Sequence, residues 1–199
     1  MIHLIPLDES TLDGLILDLD GSLRALVTNA SEVAAFLGPM LVPSRDFQRR
    51  MGSAAPWLGY LTVESDDGRL VGVCAFKGGP NEAGEVEIAY GTVPEFEGLG
   101  YATQMAKTLV AIAFASSAVR RVTAHTLPES CVSTRVLRNA GLTLAGETLD
   151  PEDGRVWRWE LARPGATMPV ATKHGESVAL RARPPTRPRP RNSRFFEDE

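Results

Sequence analysis

Two spacings of apolar residues alternate along this chain, and each switch marks an element. Met1 to Pro6 reads as a short strand, with Ile2, Leu4 and Leu7 apolar. Asp8-Glu9-Ser10 then supplies a cap for a helix carrying Leu12, Leu15 and Ile16 at helical spacing. Between Gly21 and Met51 the pattern is mixed. Ser31 is placed to cap a helix with Val33, Ala34, Phe36 and Leu37, which Gly38-Pro39 is expected to break, and Arg45 to Met51 predicts another short helix. Trp57 to Ser65 and Leu70 to Phe76 are strands joined by Asp66-Asp67-Gly68-Arg69, an aspartate-glycine turn that predicts a hairpin. A longer turn, Lys77 to Gly84, leads into a strand from Val86 to Val93 that Pro94 stops.

After that strand the period changes. Ala102, Met105, Ala106, Leu109, Val110 and Ala113 form one apolar stripe of a helix suited to packing on a sheet. Arg121 to His125 alternates as a strand, and the segment after Pro128 predicts a helix ending at Ala140-Gly141. Leu142 to Thr148 and Val156 to Leu161 are two further strands with a turn over Asp150 to Gly154, and on the last one Trp157, Trp159 and Leu161 share a face. Three consecutive strands joined by turns imply an antiparallel meander, and a doubly wound dinucleotide-binding domain does not begin that way.

Composition adds a boundary. With 199 residues, 43% of them hydrophobic, the chain has material for one sizeable core. That domain is read as residues 1 to 162. Residues 163 to 199 are rich in Pro and Arg and bring little apolar surface beyond Phe195 and Phe196, so a disordered tail is expected there. The charge divides at the same place: residues 1 to 162 hold 13 Lys and Arg against 21 Asp and Glu, and the remainder holds 8 against 4. An acidic body argues against nucleic acid as a partner and tolerates a cationic one such as an amine. No window has the apolar length of a membrane span, and the N-terminus lacks the order of a signal peptide, so no membrane association and a cytoplasmic location are expected. Cys74 and Cys131 are expected to be free thiols, with neither the count nor the spacing of a disulfide scaffold or metal site.

The stretch from Glu85 to Ala106 carries the candidate chemistry. A strand is followed by a glycine-spaced turn, Gly98-Leu99-Gly100, that opens into the long helix, an arrangement that leaves backbone N–H groups pointing at an anion. The pattern Pro94-x-x-x-Gly98-x-Gly100-Tyr101-Ala102-Thr103, with Glu87 and Tyr90 on the preceding strand, resembles the cofactor motif of the GNAT superfamily of acyl-CoA-dependent N-acyltransferases. A second stretch, Pro128 to Leu142, is similar to that family's helix in which an Asn and, three residues later, a Ser precede a Val-Leu pair. Both motifs look most like the subgroup of ribosomal-protein N-terminal acetyltransferases.

The resemblance implies an α/β fold with a mixed, mostly antiparallel sheet of about seven strands flanked by helices. It also implies direct transfer of an acetyl group from acetyl-CoA, without a metal, to a primary amine: a protein N-terminus, amino acid, polyamine or aminoglycoside-type compound. Either a monomer or a homodimer fits. By resemblance, Glu87 is the base that takes the amine proton and Ser133 the donor to the departing thiolate. Leu137 stands where many members have a tyrosine. Main-chain groups of Tyr90, Thr92 and Val93 would pair with the pantetheine arm, Gly98, Leu99, Gly100, Tyr101 and Ala102 would hold the pyrophosphate, and Ser130 sits where an asparagine usually contacts the arm. Two positions depart from the pattern: Glu97, where Arg or Gln is usual, and Ser130 itself. These departures keep open a second reading, an acyl-CoA-binding sensor or scaffold with little or no turnover. His125 ends a strand near the site and is read as a satisfied structural histidine.

Overall fold

The computed structural model describes residues 1–150 and 154–165; of the segment 163–199 expected to be disordered, residues 166–199 lie outside them. Seven strands form one sheet in the order β1-β2-β3-β4-β5-β7-β6. They are β1 (Ile2–Leu7), β2 (Gly59–Glu64), β3 (Leu70–Phe76), β4 (Glu85–Thr92), β5 (Arg121–Thr126), β6 (Thr143–Asp150) and β7 (Gly154–Ala162). All neighbours are antiparallel except β4 and β5, so the sheet is mixed and mostly antiparallel, as expected.

Five helices flank the sheet: α1 (Glu9–Leu17), α2 (Leu19–Leu26), α3 (Ala30–Met51), α4 (Tyr101–Ala115) and α5 (Val132–Asn139). Asp8 starts α1 as its composition predicts, its carboxylate accepting from the Thr11 N–H at 2.8 Å. Asp18 does the same for α2 through the Gly21 N–H, and α2 was not foreseen in the mixed pattern. The stripe predicted for α4 is the one buried, with Met105, Ala106, Leu109 and Ala113 inaccessible against the sheet. The approach is close at Gly72 of β3, where a Cβ would stand 2.9 Å from Met105 Cε and 2.4 Å from the Gly91 carbonyl oxygen.

The expected break at Gly38-Pro39 does not occur. A single helix of 22 residues runs through both Pro39 and Pro43. A helical proline forfeits the hydrogen bond to the carbonyl four residues back. Those carbonyls belong to Ala35 and Pro39, both exposed, so water can serve them, while Val33, Leu37 and Leu41 one stripe away are buried in the core. Burial of three aliphatic side chains, about 1.5–3 kcal/mol each, outweighs the local preference. Nor does Ser31 cap this helix. The N-cap is Asn29, whose side chain reaches away from the helix to β3: its amide donates to the Leu70 carbonyl at 3.1 Å and its carbonyl accepts from the Leu70 N–H at 2.8 Å. At the other end Gln48 Nε2 donates to the Leu7 carbonyl at 2.8 Å. These two ties hold α3 over the face of the sheet that carries Leu7, Val73 and Ala75.

Among the described residues no single helix is long and apolar enough to cross a membrane. Cys74 and Cys131 are free, and burial pushes the Cys74 thiol up to about 12. Asn29→Ala removes both bonds to Leu70 and leaves a buried N–H and carbonyl unpaired, so it is expected to cost about 2 kcal/mol or more, read as a lowered urea midpoint at unchanged m-value.

Candidate active site

The site begins where the sheet splits. β4 and β5 are paired over three residues only, Glu85 with Arg121, Val86 with Val122 and Glu87 with Thr123. Beyond Glu87 the strands continue to Thr92 and Thr126 without pairing to each other. On its far side β4 is paired with β3 from Ile88 to Thr92, and β5 is paired with β7 through Thr126, so the main-chain groups that face the gap are the unpaired ones. A wedge results, with Glu87 at its apex and a row of amide groups along its walls.

The glycine loop stands at the mouth of the wedge. After β4 a 3₁₀ turn over Pro94–Phe96 leads to Gly98 and Gly100 at φ of +76° and +87°, and no atom of another segment lies within 4 Å of where their Cβ atoms would be. That left-handed backbone suits only glycine, and the loop lies open. Gly100 is the N-cap of α4 and no side chain caps the helix, so the N–H groups of its first turn are left for another partner, with the helix dipole behind them. The ring of Tyr101 turns inward against Phe96, and its hydroxyl donates to Glu64 Oε1 at 2.6 Å, which pushes its pKa up to about 12. This fixes the start of α4 to the end of β2.

Strand alternation places Glu85 and Glu87 on one face of the sheet with Arg121, Thr123, His125, Arg158 and Glu160. Four of these close on each other. Arg121 meets Glu85 at 2.8 Å and Glu160 at 3.2 Å, and Arg158 meets Glu85 at 3.0 Å and Glu160 at 2.7 Å. Glu87 belongs to a separate group: its Oε1 lies 3.0 Å from Lys77 Nζ and 3.0 Å from His125 Nδ1. The ring N–H does not point straight at that oxygen, and among the described residues the buried Nδ1 has no hydrogen-bond partner. Burial works to raise the pKa of Glu87, but the His125 contact and the Lys77 ammonium outweigh it, and the carboxyl titrates below the ordinary glutamate range. The structure thus sets His125 against Glu87, a partnership with no local cue beyond the strand parity that puts both on one face. On the same face Met40, Phe47 and Gln48 of α3 line an apolar recess against Val73 and Ala75.

The other face of the wedge is closed by α5. Tyr90 points to this side, its hydroxyl donating to the Ser133 carbonyl at 3.3 Å, and burial raises its pKa. The Thr134 hydroxyl donates to the Cys131 carbonyl at 2.8 Å, which sets the first turn of α5 and leaves Ser133 half-buried beside Tyr90. Ser130 is exposed in the connection before it. Glu87 and Ser133 therefore approach the wedge from opposite faces of the sheet. Thr92 is half-buried and Val93 buried, at the end of the open wall, and Leu99 is 63% exposed on the loop. Among the described residues no cluster of three or more His, Cys, Asp or Glu is arranged to hold a metal ion.

Known proteins share this architecture. Residues 12–143 match the family model described as an acetyltransferase (GNAT) domain. An uncharacterized N-acetyltransferase, YjdG of Bacillus subtilis (strain 168), is 29% identical over 85 residues, which are 43% of this chain and 51% of that protein, so the similarity spans about half the length of this relative. Among solved structures, the aminoglycoside acetyltransferase AAC(6')-Ib in complex with coenzyme A superposes with a TM-score of 0.58 at 18% identity, covering 82% of this chain and 95% of its own. RimL, a ribosomal L7/L12 α-N-protein acetyltransferase in complex with coenzyme A, superposes with a TM-score of 0.52 at 18% identity, covering 81% and 93%. A spermidine N-acetyltransferase SpeG chimera from Vibrio cholerae and hSSAT gives 0.54 at 14% identity, covering 81% and 95%. With the parted strands, the open glycine loop and a family match over about two thirds of its length, the chain belongs to the GNAT acetyltransferase family.

Proposed function

We propose that this protein transfers an acetyl group from acetyl-CoA to a primary amine by direct attack. The observation that carries the reading is the wedge. It is the one gap in the described sheet, with an acidic and basic pair, Glu87 and His125, on one face, and Tyr90 bonded to the first turn of α5 on the other. The residues present fit the co-substrate. Open N–H groups of Gly98 to Ala102 suit a diphosphate, and the unpaired walls over Tyr90 to Val93 suit the amides of a pantetheine arm.

The chemistry asks three things of these residues. An amine with a reference pKa of ~8 to ~10.4 arrives mostly protonated and must be stripped, a task that falls to the Glu87 side of the wedge. As nitrogen bonds to the thioester carbon, oxygen gains charge, and a backbone N–H along the β4 wall donates to it. The carbon–sulfur bond then breaks, and the thiolate takes a proton from the α5 side, where the Ser133 hydroxyl stands. The acceptor is an amine entering over the Glu87 face. A protein N-terminus, as for RimL, and small polyamines or aminoglycosides, as for SpeG and AAC(6')-Ib, are the classes to be tried.

Mixing the protein with acetyl-CoA and such amines is expected to release free CoA thiol only when an amine is present. Glu87→Gln should cut that release by about 100-fold while CoA still binds. Binding of CoA without amine-dependent release would favour the sensor or scaffold reading. Glu97 beside a diphosphate is a like-charge neighbour, and at ~6 Å the repulsion is ~0.7 kcal/mol even at water's dielectric. Glu97→Arg is therefore expected to tighten CoA at least ~3-fold by calorimetry, and unchanged or weaker affinity would count against the placement of the loop.

A further inference from the structure

We infer that His125 Nε2 is the atom that accepts the amine proton, and that Glu87 acts on it as a positioning residue that holds the ring through Nδ1. This inference rests on the acetyl-transfer reading and reassigns one role within it.

The geometry points this way on three counts. First, Glu87 Oε1 is already engaged by two groups at 3.0 Å, the Lys77 ammonium and His125 Nδ1. A proton on either oxygen of this carboxylate would remove the charge that both contacts depend on, and its lowered pKa makes it a weak base. Second, Nδ1 is buried and, among the described residues, has Glu87 as a charged neighbour at 3.0 Å, whereas Nε2 lies across the ring, turned away from the carboxylate. A rotation of the ring that brings the Nδ1 hydrogen onto Oε1 fixes the tautomer in which Nε2 carries the free lone pair. Third, parallel register sets His125 two residues beyond Thr123, the last residue paired with β4. His125 therefore sits past the point where the strands part, on the wall of the wedge, while Glu87 sits at its apex.

The step balances without any further reactant. Starting from the neutral amine, its ammonium form having lost one proton to solvent, nitrogen bonds to the acyl carbon as an N–H proton passes to Nε2, and the carbon–sulfur bond breaks. The sulfur takes a proton from the Ser133 hydroxyl on the α5 side, and solvent returns a proton to Ser133. The resulting imidazolium lies against the Glu87 carboxylate and returns its proton to solvent. The charged groups around the ring are Glu87 from β4, Lys77 from the loop before it, and Arg158 opposite His125 on β7. Arg158 is occupied by Glu85 and Glu160, and Lys77 by Glu87.

The test compares His125→Gln with Glu87→Gln in the full chain, with acetyl-CoA and three amines: spermidine, kanamycin and an alanine-starting peptide. Two readouts are used. The first is kcat/KM against pH. His125→Gln should lose about 100-fold or more in kcat, keep KM for acetyl-CoA, and lose the rising limb that lies below the amine's own titration. Glu87→Gln should keep that limb, displaced to lower pH because the imidazolium has lost its counter-charge. The opposite pattern, a limb abolished by Glu87→Gln and retained by His125→Gln, overturns the assignment. The second readout needs no turnover. Nitrogen-15 NMR of the histidines in the resting protein should show the Nδ1–H tautomer for His125, mixed in Glu87→Gln, and an Nε2–H tautomer in the unaltered protein overturns the inference by itself. If none of the amines releases thiol with the unaltered protein, that result falls on the acetyl-transfer reading, and the tautomer still decides whether Glu87 holds the ring.

Discussion

The structure depends on the separation of β4 from β5 after only three paired residues. A sheet interior normally satisfies every main-chain N–H and carbonyl, and each one left unpaired away from water is costly. Here two strand walls are left unpaired in the middle of a seven-stranded sheet, at positions flanked by fully paired neighbours on both outer sides. The arrangement holds because the strands are locked elsewhere. Glu85, Arg121, Arg158 and Glu160 clamp β4, β5 and β7 below the apex, and the Tyr90 hydroxyl joins β4 to α5 above it. A gap of this kind suits a ligand that is itself a chain of amides.

The same separation joins the two faces of the sheet. Elsewhere a side chain on one face has no access to the other, since alternate residues point in opposite directions. At the wedge, Glu87 and His125 lie on one face and Tyr90, bonded to the first turn of α5, on the other. A reaction that removes a proton from one partner and delivers one to another benefits from groups on opposite sides of the reacting carbon. The ion-pair clamp adds a second property: its two arginines and two glutamates neutralise each other, so the charge felt near the apex is set mainly by Lys77, Glu87 and His125.

Much of this was legible in the chain. The glycine spacing after Pro94 marks the loop because a positive φ at Gly98 and Gly100 admits little else, and the apolar run of Leu70 to Phe76 between two turns gives β3 to the residue. The helix from Ala30 to Met51 was not legible, because Pro39 and Pro43 argue locally for a break, and only their exposed carbonyl partners and the buried stripe beside them reverse that. No local pattern marks Asn29, which is buried and bonded to Leu70, 41 positions away in the chain. His125 was read as a structural histidine for the same reason: its partner is Glu87, on a strand that adjoins its own only after the crossover through α4. Local patterns carry propensity and turn chemistry, whereas contacts between distant segments depend on register, which they do not contain.

The account's central claim is that the wedge and the open loop together receive the arm and diphosphate of coenzyme A. Amide hydrogen exchange with and without CoA tests it most directly. The account predicts slowed exchange over Leu99 to Ala102 and along the facing walls, Ile88 to Thr92 and Ala124 to Thr126, with the distant β1–β2 hairpin unchanged. Protection confined to the recess under α3, or none along the two walls at saturating CoA, would contradict it.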